Sequence, residues 1–162
     1  MTDIAPDATI PDVAELILET YGPLSTMKLH KLSYFAYAWS LVLNDEPIFD
    51  ETFEAWQSGP VSRALYETHV GELEVSTIPG GDASRVSSDG RDIITILHRS
   101  YVGMTGLQLS ELSRRGGPWE YAYFRWQASP EGAAKHSLNE SLIRTQFTCL
   151  WADREVRFPQ PR

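Results

Sequence analysis

The run from Met27 to Trp39, continued to Leu43, constrains this chain more than any other stretch. Leu29, Leu32, Ala36, Trp39 and Leu43 recur in steps of three and four, which sets them along one stripe of an α-helix and predicts a core-facing side. The opposite side carries Tyr34, Ala38 and Leu41, so the helix is apolar nearly all round. Such a helix is either buried on two sides or keeps one face for a partner, and both alternatives make it the central helix.

The 162 residues, 42% of them hydrophobic, suffice for one domain with a real core. No apolar run approaches the roughly 20 residues of a membrane span. The amino-terminal stretch is acidic and proline-containing (Asp3, Pro6, Asp7, Pro11), unlike a secretion signal, so the cytoplasm is the expected location. Cys149 stands alone, which rules out an intrachain disulfide or a cysteine-based zinc site. A net charge of -8 and a pI near 4.9 disfavour direct nucleic-acid binding, which draws on Lys and Arg neutralising phosphates. The local exception is Arg154, Arg157 and Arg162, a basic tail expected to be solvated or partner-facing.

Along the chain, residues 1–12 read as a loose lead-in, 13–150 as the domain and 151–162 as a tail. A first helix fits Val13 to Thr20, capped by Asp12 and stopped by Gly22-Pro23. Ser25 or Thr26 caps the central helix, which ends at Leu43-Asn44 ahead of Pro47. Ile48 to Trp56 reads as extended, and Pro60 of Gly59-Pro60 suits the first position of a helix to about His69. Gly71 to Asp92 reads as a mobile loop or exposed hairpin with a β-like Leu73-Glu74-Val75 inside it. Helices follow from Asp89, from the capping box Thr105-Gly106-Leu107-Gln108, from Pro118-Trp119, and from a second capping box, Ser137-Leu138-Asn139-Glu140. With so little strand, the expected class is mainly α: one compact domain of about six to seven helices with a short extended or small β element.

Catalytic signatures are scarce. His30, His69, His98 and His136 show no ligand-like spacing, and there is no Gly-x-Ser-x-Gly, Walker-type or dinucleotide-binding glycine motif. Asp45, Glu46, Asp50, Glu51 and Glu54 read as a solvated acidic surface, because spacing alone makes no two of them converge. The aromatic content is the unusual feature. Trp39, Trp56 and Trp119 are expected to fill the core, whereas Trp126, Trp151 and some of Tyr34, Tyr37, Tyr121 and Tyr123 are candidates for an interface.

A set of ordered motifs adds a second warrant. Lys28-Leu29-x-Lys31-Leu32-x-Tyr34-x-Ala36-x-x-Trp39, Glu46-Pro47-Ile48-Phe49-Asp50 and Phe53-x-Ala55-Trp56-x-x-Gly59-Pro60-Val61 precede Tyr66. Leu109-Ser110-x-Leu112, Pro118-Trp119 and Ser137-x-x-x-Ser141-Leu142-Ile143-x-x-x-Phe147 follow. Together they resemble the Panacea, or SocA-like antitoxin, domain from about Val13 to Phe147. The resemblance implies a mostly helical antitoxin of bacterial or phage-borne two-gene systems. It binds a cognate protein toxin directly or, in one branch, delivers the toxin to a protease. No catalytic residue comes with this family, and neither a cofactor nor a metal is expected. Lys28, Leu29, Leu32, Trp39, Pro47, Phe53, Trp56, Gly59, Pro60, Pro118 and Trp119 are its scaffold positions in this chain.

Two departures point at partner choice: Gln57-Ser58 replaces the basic or aromatic pair usual before Gly-Pro, and Ser113-Arg114 replaces a Thr-His. The expected contact surface comprises Lys31, Tyr34, Gln57, Ser58, Arg63 and Trp126. The acidic charge suits a basic toxin, for instance one acting on RNA or nucleotides. A transcriptional regulator, or an enzyme with a pocket lined by Trp56, Trp119 and nearby carboxylates, remains as the alternative class.

Overall fold

A computed structural model describes residues 6–127 and 137–157; the side chains of residues 126, 127 and 154–157 also lie outside the described set. The helices are α1 (Ile10–Tyr21), α2 (Thr26–Leu43), α3 (Arg63–Tyr66), α4 (Ser88–Tyr101), α5 (Gly106–Ser113), α6 (Pro118–Gln127) and α7 (Glu140–Arg157). Two antiparallel pairs accompany them: β1 (Leu24–Ser25) with β4 (Glu74–Val75), and β2 (Glu54–Trp56) with β3 (Gly59–Val61). The chain is thus mainly α, as the motifs imply. No helix among the described residues is long and apolar enough to cross a membrane.

Helix α2 runs through the middle, packed by α1, α4, α5 and α7. Its start is set by Ser25, whose hydroxyl accepts the Lys28 N–H at 3.2 Å. Around the helix lies an aromatic lattice: Phe35 stacks on Tyr101 at 4.8 Å, Trp39 meets Phe147 edge-on at 5.0 Å, and Tyr34 meets Phe53 at 5.3 Å. The second apolar side is internal too. Tyr34 is 1% exposed and Lys31 1%, so both are withdrawn from the expected contact surface: Phe53 and Phe147 of α7 pack on Tyr34, and β3 and α5 close over Lys31.

Five boundaries differ from the sequence reading, one being α4, which is started not by Asp89 but by Ser87, whose hydroxyl accepts the Gly90 N–H at 3.1 Å. Helix α1 begins at Ile10, with Asp12 inside its first turn accepting the Thr9 N–H at 2.8 Å rather than standing before the helix. Pro60 lies in β3, opposite Ala55, and the short α3 is started instead by Ser62, whose hydroxyl accepts the Leu65 N–H. Proline fits there because Trp56 and Gly59 flank the two-residue turn as the bonded pair, which leaves Ala55 and Pro60 as the next, non-bonded pair that needs no proline N–H.

The segment from Gly71 to Asp92 is not an exposed hairpin. Its β4 pairs with β1, Val75, Ile78, Ala83 and Val86 are buried, and Glu15 and Asp12 on α1 accept the N–H groups of Ile78 and Asp82 at 2.7 and 2.8 Å. Finally, α7 is capped by Asn139, whose side chain accepts the Leu142 N–H at 3.0 Å. Ser137, the expected cap, bridges to Glu54 instead.

Candidate partner-binding surface

The β2–β3 turn, Gln57-Ser58, is fixed from below and from the side. Ser110 on α5 donates its hydroxyl to the Ser58 carbonyl, and Trp119 on α6 donates its indole N–H to the Trp56 carbonyl at 2.7 Å. Beneath it, Lys31 donates its ammonium to the Pro60 carbonyl at 2.9 Å. That carbonyl is free for the purpose because the non-bonded pair turns its backbone groups away from the neighbouring strand. Gly59 makes the close approach feasible: its φ is +119°, and a Cβ there would lie 2.7 Å from Ser113 Oγ and 3.0 Å from Lys31 Cε.

Above this base lie exposed and half-buried aromatic and arginine side chains, with the buried Trp119 between them. Arg63 makes two hydrogen bonds to Glu54, at 2.9 and 3.0 Å, and lies 5.6 Å from the Trp56 ring centre. Trp56 meets Tyr66 at 5.0 Å, Trp119 stacks on Tyr123 at 4.5 Å, and the Arg114 guanidinium lies 5.8 Å from the Trp119 ring. Phe124, 61% exposed, extends the surface beyond Tyr123. Trp, Tyr and Arg held in place by neighbours are the residue types that dominate binding hot spots, because little side-chain entropy is left to lose on association.

Of the expected contact residues, the structure places Gln57 and Arg63 at the surface and Ser58 half-buried in the turn. It moves Lys31 and Tyr34 inside, and the side chain of Trp126 lies outside the described residues. Tyr37 is buried as well, whereas Tyr121 is exposed on α6. Among the tryptophans expected in the core, Trp119 is buried and Trp39 and Trp56 are half-buried. The acidic cluster is partly engaged: Glu51 accepts the Ile10 N–H, Glu54 holds Arg63, and Asp45 holds Arg144 at 2.6 Å.

Sequence reasoning missed a buried polar cluster at the base. His30 and His69, far apart in the chain, face each other with Nε2 to Nε2 at 2.7 Å, so one of the two nitrogens must carry a shared proton. His30 Nδ1 is buried and has no hydrogen-bond partner among the described residues. Burial, then the neighbouring Lys31 and His69, hold the His30 pKa well below its ordinary value. Burial, then Arg114, lowers the Lys31 ammonium to about 7. No carboxylate forms an ion pair with Lys31 among the described residues. Only the position of His30 and Lys31 on an all-round apolar helix hinted at this arrangement.

Comparison with known proteins bears on the same region. A stretch of 58 residues is 40% identical to the antitoxin SocA of Caulobacter vibrioides, covering 33% of this chain and 31% of that protein. The match therefore spans about a third of that relative's length, and no solved structure matches. The sequence pattern described as "Antitoxin SocA-like, Panacea domain" matches residues 29–120, which include the hairpin, Arg63, Arg114 and Trp119. Those residues make up more than half of the chain, and the chain accordingly belongs to the SocA-like, Panacea domain family.

Proposed function

We propose that this protein is an antitoxin that neutralises a co-encoded protein toxin by binding it directly, using the surface built on Gln57, Ser58, Arg63, Trp56, Arg114 and Phe124. The observation that carries this reading is the fixed aromatic and arginine surface around the turn, which apart from Tyr123 and Phe124 lies within the family-matched segment and is closed off beneath by Lys31. Arg63 and Arg114 supply donors for carboxylates or backbone carbonyls, and the aromatic rings supply area. The whole molecule, at -8, supplies the long-range attraction for a basic toxin, while these arginines fix its orientation at contact.

The test is growth. Expression of the adjacent open reading frame alone should arrest cells, and co-expression with this protein should rescue them. Arg63→Ala with Phe124→Ala should abolish rescue while the purified variant keeps the wild-type circular dichroism spectrum. Rescue that survives both substitutions overturns the surface assignment. Rescue accompanied by disappearance of the toxin overturns blocking in favour of proteolytic delivery.

A further inference from the structure

Away from the hairpin, α2, α4 and α7 enclose a half-open cavity of about 190 Å³. Trp39 of α2, Ile93, Ile96, Leu97 and Tyr101 of α4 and Trp151 of α7 line it. The lining is apolar, and its one indole donor used here is occupied internally, since Trp39 donates to Tyr101 Oη at 2.9 Å. An engineered apolar cavity of roughly 150 Å³ takes up benzene, so this one has room for a large apolar side chain. Ile96, 41% exposed on the rim, would leave water when such a side chain entered.

The rim has a sign. On α4, Asp89, Asp92 and Ile96 follow one another at helical spacing, so two exposed carboxylates continue the face that carries the apolar wall. Just past Leu43, which also lines the cavity, come the exposed Asp45 and Glu46. Of the cations on these elements, Arg91 beside Asp92 donates to the Ala83 carbonyl, Arg144 is committed to Asp45 and to the Leu41 carbonyl, and Arg99 lies one turn beyond Ile96. The cleft between two helices is thus apolar inside and acidic along one end.

From this we infer that the α2–α4–α7 cleft is a docking groove for an amphipathic helix of a protein partner, one that seats a Leu-, Phe- or Trp-type anchor beside Trp39 and Trp151 and presents Lys or Arg to Asp89 and Asp92. The anchor removes the apolar wall from water, and the basic flank answers the acidic rim. The inference is independent of the hairpin surface and of the antitoxin reading, because no residue is shared between the two sites.

The probe is a fluorescently labelled synthetic helix of leucine and lysine at amphipathic spacing, followed by anisotropy, beside its glutamate-for-lysine counterpart. The lysine peptide should bind and the glutamate peptide should not. Ile96→Asp, at an exposed position, and Ser100→Trp, which fills the groove from its mouth, should each weaken binding about tenfold or more, as loss of a central anchor does. The double variant Asp89→Lys, Asp92→Lys should favour the glutamate peptide, and Arg63→Ala should change nothing. Equal binding by wild type, Ile96→Asp and Ser100→Trp would show mere attraction to an acidic protein and overturn the groove. Saturable binding of free indole without peptide binding would reassign it to small molecules. A wild-type dimer in sedimentation that Ile96→Asp dissolves would reassign it to a second copy of this chain.

Discussion

The two halves of α2 reverse the usual assignment of inside and outside. Its first half buries His30, Lys31 and Ser33 beneath the hairpin and α5, whereas its second half leaves Trp39 and Leu43 half-buried at the mouth of an apolar cleft. Polarity of the side chain does not decide which half is covered. Coverage by neighbours does: β3 and α5 close over the side of the amino-terminal half that carries Lys31, while in the other half Phe35, Tyr37, Ser40 and Leu41 are buried and the side carrying Trp39 and Leu43 opens into the cavity lined by α4 and α7. The closed half then has to satisfy polar groups in a dry setting, and the open half has to tolerate exposed apolar area.

The largest expected effect lies at the closed half. Gly59→Ala imposes a Cβ on a φ of +119°, 2.7 Å from Ser113 Oγ and 3.0 Å from Lys31 Cε. Strain and overpacking together should cost about 3 kcal/mol, read as a lowered midpoint in urea unfolding. If the hairpin instead floats loosely over α2, the midpoint will hardly move, and the contrast between a closed and an open half fails.

Lys31→Met sharpens the same point with the opposite sign. The folded amine loses its proton near 7 while the unfolded one keeps it to about 10.5, so unfolding takes up a proton across that interval. Stability should accordingly rise as pH climbs from about 7 to 10 and show no Lys31 dependence below that window, with a limiting slope of ~1.4 kcal/mol per pH unit. Methionine keeps the volume and removes the charge, leaving the Pro60 carbonyl without its donor. The net should be a gain of about 1–2 kcal/mol at neutral pH and a flattened profile, because an uncompensated buried charge costs more than one lost hydrogen bond. A loss of stability at pH 7 would mean that the cation is solvated or paired. His30 acts on the acid side by the same logic: neutral when folded, it withdraws stability as pH falls through the ordinary histidine value.

Much of this architecture is local chemistry and was legible as such. Ser25 and Thr105 cap where their spacing says they do, and Gly22, at φ +85°, ends α1. Apart from the starts of α1 and α4, which were local misreadings, what escaped the sequence depends on a distant partner. Pro60 reads as a helix start until Ala55 is placed opposite it. Ser137 looks like a cap until Glu54 takes it into a bridge and Asn139 does the capping. The turn-rich stretch from Gly71 to Asp92 looks unanchored until Asp12 and Glu15 reach it from α1. The candidate surface divided along the same line: Gln57 and Ser58, picked out by a departure in the motif, and Arg63 remain accessible, while Lys31 and Tyr34 are buried, and α2 alone does not say what covers it.

On the open half, Trp39→Phe removes the indole N–H that Tyr101 accepts and some ring area beside a cavity that already exists. Because the site is half-solvated, the expected cost is about 1 kcal/mol, well short of the large penalties for truncating a sealed core aromatic. A loss as large as that at Gly59 would show that this half is closed in solution as well.

The smallest stability effect is expected at the groove's rim. Ile96 sits in the middle of α4 with its side chain 41% exposed, so aspartate there gives up only part of a buried aliphatic contact. Helix propensity and the like charge of Asp92 one turn earlier add a few tenths of a kcal/mol, for a total of about 0.5–1 kcal/mol. The thermal midpoint of Ile96→Asp should therefore stay within a few degrees of wild type while its binding of the lysine peptide collapses. That separation is what a surface held open for a partner predicts. If unfolding and binding instead fell together, Ile96 would be part of the core and the second half of α2 would be as closed as the first.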